Sequence, residues 1–144
     1  MTTENEIIVK RPKVLLVEDN YMNKVLVREV LTLRGFDVIE ANSGTEALKA
    51  LTAARPDIIL MDLHLPEMDG ITAMRIIKQD ERYAGIPVLA LTASAMKGEE
   101  AKILSKGFDG YIGKPIDVKN LASTVAGFLE KKETEGEPPS PHVR

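Results

Sequence analysis

The chain reads as an α/β fold, a doubly wound parallel sheet of five strands with five helices. Two patterns lead there. Short apolar runs alternate with stretches of helical periodicity five times along the chain, and such alternation builds parallel sheets with right-handed crossovers. Three of the runs, KVLLV (13–17), DIILM (57–61) and PVLALT (87–92), are nearly unbroken in Val, Ile and Leu. Strands covered on both faces need that composition, because neither face meets water.

The remaining elements follow from local signals. DVIEA (37–41) and a short GYI (110–112) complete the set of strands. A first helix is expected from about Asn23 to Arg34. A second starts at Ser43, where Ser43 and Glu46 make a capping box, and stops before Pro56. A third covers about Gly70–Asp80 and a fourth about Lys97–Lys106, with Glu99 and Glu100 suited to a helix N-terminus. The last runs from Asp117 to Lys131 with Val118, Leu121, Val125 and Phe128 on one face. Arg34-Gly35-Phe36-Asp37 and Lys106-Gly107-Phe108-Asp109 share one helix stop. Glycine takes the left-handed position and the Phe packs back on the last turn.

Composition bounds the rest. A chain of 144 residues, 44% apolar and 28% charged, is one domain that needs no staples. Residues 1–11 read as a polar leader, 12–132 as the folded domain, and 133–144, with three prolines, as a disordered tail. The absence of cysteine excludes disulfides and thiolate chemistry. With 19 basic against 22 acidic residues the net charge is −3, which argues against nucleic acid as a partner. Aromatics at 4% and no Trp leave no base-stacking platform. The longest apolar runs, such as Val14–Val17, are far below the ~18 residues needed to span a bilayer. No basic segment followed by an apolar one opens the chain, so a cytoplasmic location without membrane insertion is expected.

In sheets of this kind ligands bind beyond the carboxyl ends of the strands. Those ends carry Glu18 and Asp19, then Asp62, then Thr92, and finally Lys114-Pro115. Three carboxylates repel: at ~4 Å and an effective dielectric near ~20 each pair costs about 4 kcal/mol. Lys114 offsets one charge, and a hard divalent cation would offset more; Mg²⁺ sits on one or two carboxylates plus waters and a phosphoryl group. The arrangement points to phosphoryl transfer, with carboxylates on the metal and a lysine and hydroxyl on phosphoryl oxygens. Asp62, ending the central strand between the acidic pair and Thr92, is the expected nucleophile.

The segments VEDN (17–20), LMDLHLPEMDG (60–70), LALTASAMKG (89–98) and GYIGKPI (110–116) carry a resemblance. Together they resemble the receiver domain of two-component response regulators, over about residues 13–130, and most of all the single-domain DivK-type regulators. The resemblance implies a flavodoxin-like (CheY-like) strand order, 2-1-3-4-5. It implies that Asp62 accepts a phosphoryl group from a phosphohistidine. Asp19, Asp62 and the backbone carbonyl of His64 would ligate Mg²⁺, with Glu18 binding mainly through water. Lys114 would pair with phosphoryl oxygens, Thr92 would swing toward them, and Tyr111 would rotate inward behind Thr92. Ala93 would leave access to phosphorus, and the Lys114-Pro115 bond would be cis. Glu18 replaces the commoner aspartate, and His64 and Ser94 occupy positions that tune phosphoryl lifetime.

The implied partners are a histidine kinase or histidine phosphotransfer protein, and a downstream protein read through the face of the fourth helix, fifth strand and fifth helix. The protein would catalyse its own phosphorylation and slow dephosphorylation, without turnover of an independent substrate. Receivers of hybrid histidine kinases, acting as phosphate shuttles or sinks, are an alternative. A metal-dependent phosphatase would need a second aspartate where His64 stands. A flavin or nucleotide binder would need Gly, Ser or Thr amides where Glu18 and Asp19 stand. A scaffold without phosphorylation is disfavoured by the complete set of five polar positions.

Overall fold

The structure is a computed structural model that describes residues 10–93 and 98–136. Ten elements alternate along the chain: β1 (Lys13–Val17), α1 (Tyr21–Leu33), β2 (Asp37–Ala41), α2 (Gly44–Ala53), β3 (Ile58–Asp62), α3 (Gly70–Gln79), β4 (Val88–Thr92), α4 (Glu99–Ser105), β5 (Gly110–Gly113) and α5 (Leu121–Gly136). The strands form one parallel sheet in the order β2-β1-β3-β4-β5, as expected.

Strand alternation splits the core into two layers. Leu15, Val17, Ile59, Met61, Val88 and Ala90 face α2, α3 and α4. Val14, Leu16, Ile58, Leu60, Leu89 and Leu91 face α1 and α5. Successive side chains point to opposite faces, and here each face is roofed by helices, so both parities must be apolar. That is why these three strands do not alternate in sequence. Each fully buried Leu or Ile stabilises the fold by roughly 1.5–3 kcal/mol.

The helix ends follow the expected chemistry. Asn20, Ser43 and Asp69 cap α1, α2 and α3, each side chain accepting the amide of the third residue on. Gly35 and Gly107 have φ of 97° and 122° after α1 and α4, and Phe36 and Phe108 are buried beside them. The fifth helix departs from expectation at both ends. It begins at Leu121 rather than Asp117, because Asp117 closes a turn first: its carbonyl accepts the amides of Asn120 and Leu121. Val118 therefore lies in that turn, 42% exposed, and not on the buried face. The helix also runs on to Gly136, beyond the expected boundary at 132. Residues 137–144, the rest of the expected tail, and residues 1–9 of the expected leader lie outside the described residues. Arg11, assigned to the leader, is tied to the domain by bonds to Asp37 and to the carbonyls of Thr32 and Phe36. Among the described residues no helix is long and apolar enough to cross a membrane.

Candidate functional site

Register brings the polar strand ends to one level. Val17 lies opposite Met61, so Glu18 extends beside Asp62. Asp62 lies opposite Leu91, and Thr92 opposite Gly113, which places Lys114 one residue beyond. Alternation then sorts the side chains. Glu18, Asp62 and Lys114 continue the parity of the α1/α5 layer. Thr92 and Tyr111 continue the other, and Tyr111 packs against the α2/α3/α4 layer.

The first group converges. Lys114 Nζ donates to Asp62 Oδ2 at 3.0 Å and pairs with Glu18 Oε1 at 3.1 Å. Asp62 Oδ1 accepts the backbone amide of His64 at 2.9 Å. Glu18 Oε2 accepts the amide of Asn20 at 3.1 Å. Glu18 Oε1 is buried and accepts no hydrogen bond; Lys114 pairs with it as a charge at 3.1 Å. Glu18 is wholly buried, Asp62 and Thr92 nearly so, and Asp19 is exposed. One carboxylate oxygen from each of Glu18, Asp19 and Asp62 lies within 4.8 Å of the others.

Electrostatics follow from this packing. Burial pushes the Glu18 carboxyl up to about 7; the neighbouring Asp62 carboxylate adds to the rise, against Lys114 and the Asn20 amide. Burial works against the charge of Lys114, but Asp62 and Glu18 outweigh it and raise its pKa. The donor set fits a small hard cation. It consists of oxygens, carries excess negative charge, keeps one buried oxygen without a hydrogen bond, and opens to solvent at Asp19.

The other expected residues divide. Thr92 is buried at the end of β4, and its carbonyl accepts the Lys114 amide at 2.8 Å. Tyr111 is half-buried on β5, and the Glu100 carboxylate of α4 bonds its hydroxyl and raises its pKa. A groove of about 210 Å³ opens beside Tyr111, bounded by Asp117, Asn120, Leu121 and Thr124. The His64 side chain is exposed and outside the acidic cluster, so only its backbone meets Asp62. The Lys114-Pro115 bond is cis. Ser94 lies outside the described residues.

Sequence reasoning passed over Gly70. A Cβ there would stand 2.2 Å from the Asp62 carbonyl oxygen, so only glycine lets α3 start this close to the end of β3. The Asp-Gly pair before a helical stretch was the available signal.

A five-stranded parallel sheet in this order, with acidic residues and a lysine gathered at its carboxyl edge, defines a flavodoxin-like α/β module with a charged site at the strand ends. Residues 14–126 match the response regulator receiver domain, and the chain belongs to that family. It is DivK-like: it is 42% identical over 116 residues to the polar-differentiation response regulator DivK of Brucella ovis, covering 81% of this chain and 94% of that protein. Among solved structures it is similar to the chemotaxis response regulator CheY4 of Vibrio cholerae, with a TM-score of 0.77, 28% identity, and 82% and 98% of the two chains covered. It is also similar to the receiver domain of sensor histidine kinase PA1611 from Pseudomonas aeruginosa, solved with a magnesium ion coordinated in its active site cleft. There the TM-score is 0.76 and the identity 32%, covering 84% of this chain and 99% of that one.

Proposed function

We propose that the protein is a single-domain response regulator of a phosphorelay, phosphorylated on Asp62. The observation that carries this reading is the hold on the Asp62 carboxylate. Lys114 takes one oxygen and the His64 amide the other, so the group is fixed, desolvated and faced by a cation. In the transfer, an Asp62 oxygen attacks phosphorus as the phosphorus–nitrogen bond of a phosphohistidine breaks, and the imidazole leaves with the electron pair. Lys114 then meets the phosphoryl oxygens, and Thr92 supplies a hydroxyl from β4. Asp19, Asp62 and the His64 carbonyl would hold Mg²⁺, with Glu18 acting through water. The ion supplies positive charge where phosphoryl oxygens and carboxylates crowd together. The magnesium in the similar PA1611 receiver domain supports this assignment.

Phosphorylation adds negative charge and three acceptors at this point. Thr92 moves toward them, Tyr111 turns inward into the space released, and the α4-β5-α5 face changes shape. The half-buried Tyr111 and the groove beside it support that face as the surface read by a downstream protein. The donor would be a histidine kinase or histidine phosphotransfer protein, in the cytoplasm, and the folded module would carry the function without its tail. Identity of 42% to a DivK protein, against 32% to a sensor histidine kinase receiver domain, favours this over a shuttle receiver from a hybrid kinase.

The test is incubation with acetyl phosphate and Mg²⁺, read by intact mass. One base-labile phosphoryl group is expected on the native chain and none on Asp62→Asn. Equal yields from the two would overturn the assignment.

A further inference from the structure

Asp62 Oδ1 is placed by the His64 amide, so its position is set by the loop joining β3 to α3. That loop is strained: Glu67 has φ of 71°, a region L side chains avoid. Its backbone is closed by the Met68 amide on the Pro66 carbonyl at 2.7 Å and the Gly70 amide on the Leu63 carbonyl at 3.0 Å. The side chain of Met68 reaches the start of α2. A Cβ on Gly44 would stand 3.0 Å from Met68 Sδ, 3.3 Å from its Cγ, and 3.2 Å from Ala73 Cβ.

Gly44 is the first residue of α2 and its φ is not positive. Alanine would suit the backbone there and would favour the helix. Glycine at this point therefore serves space rather than backbone: a methyl would press on Met68 Sδ and Ala73 Cβ, which would have to give by a few tenths of an ångström. Met68 packs with Leu63 and Leu65 against the α2/α3/α4 layer, so its seat holds the middle of the loop while Gly70 holds its far end.

We infer that Gly44 and Met68 form a brace that positions Asp62, acting through the β3–α3 loop and the His64 amide. Both are positioning residues that touch neither phosphoryl group nor metal. The inference rests on the reading of Asp62 as phosphoacceptor.

The test uses the full chain with Gly44→Ala, Met68→Ala, their combination and Met68→Leu. Three quantities are measured: the Mg²⁺ dissociation constant by calorimetry, the acetyl phosphate rate at saturating Mg²⁺, and Tm without Mg²⁺. Gly44→Ala and Met68→Ala should each lose roughly 10-fold in rate and in Mg²⁺ affinity, as displaced supports of a site do. The double variant should be no worse than Met68→Ala, because the added methyl then meets no sulfur. Met68→Leu should keep near-native values. The Ala73 contact lies within α3 and should register only in Tm. Gly44→Ala within about twofold of the native rate and affinity, or losses that multiply in the double variant, would overturn the brace. If Gly44→Ala does not fold, Met68→Ala against Met68→Leu decides by the same limits. Phosphorylation of Asp62→Asn at the native level would instead end the functional reading.

Discussion

Lys114 Nζ stands 3.0 Å from Asp62 Oδ2 although 52 positions separate the two residues. The same ammonium lies 3.1 Å from the buried Glu18 carboxylate. One cation thus serves two acids, and the site carries unbalanced negative charge unless a proton or metal joins it.

Glu18 should make stability fall with pH when no divalent ion is present. Its carboxyl titrates near 4.5 when unperturbed and at about 7 in the fold. Between those values the folded state binds more protons than the unfolded one, so stability is fully present below about 4.5 and is lost as pH rises through about 7. Glu18→Gln has no proton to lose. It should match the native chain near ~pH 4 and exceed it by on the order of 2 kcal/mol at ~pH 8. Urea unfolding in chelator across that range checks this; parallel profiles would show that Glu18 is not a raised acid.

Lys114→Ala should fold but lose about 1–3 kcal/mol at ~pH 8, because two buried carboxylates lose their cation. The loss should shrink toward ~pH 5, where Glu18 takes up a proton. The signalling response to phosphorylation should be uncoupled. Global unfolding, seen by circular dichroism, would instead mark the lysine as a structural post.

Glu67→Asn should stabilise the fold by about 0.5–1 kcal/mol, since asparagine tolerates the left-handed conformation that Glu67 adopts at φ 71°. A higher urea midpoint with unchanged slope is the expected reading.

Gly70→Ala should cost about 3 kcal/mol, because its methyl meets the Asp62 carbonyl oxygen at 2.2 Å and backbone must move. Phosphorylation should slow as well, since the displaced atom belongs to the phosphoacceptor residue. A Tm equal to the native value would show that α3 can retreat freely.

Most strand positions were legible in the sequence because their cause is local and strong. Val14–Val17 and Ile58–Met61 are apolar at every position, and only burial on both faces explains that. Element ends were less legible. The start of α5 depends on whether Asp117 starts the helix or closes a turn, and the Asn120 amide on the Asp117 carbonyl closes the turn.

Sequence alone determined the layered architecture, the cap at Ser43, and which strand ends carry charge, since hydrophobic periodicity and side-chain chemistry are properties of short segments. Tertiary structure decided how those charges meet. That the ammonium of Lys114 contacts Asp62 and Glu18, that one Glu18 oxygen is buried without a hydrogen bond, and that Gly44 makes room for Met68 are consequences of register and packing between distant segments. Distances between such segments are set by the sum of many weak contacts, and no single stretch of chain encodes them.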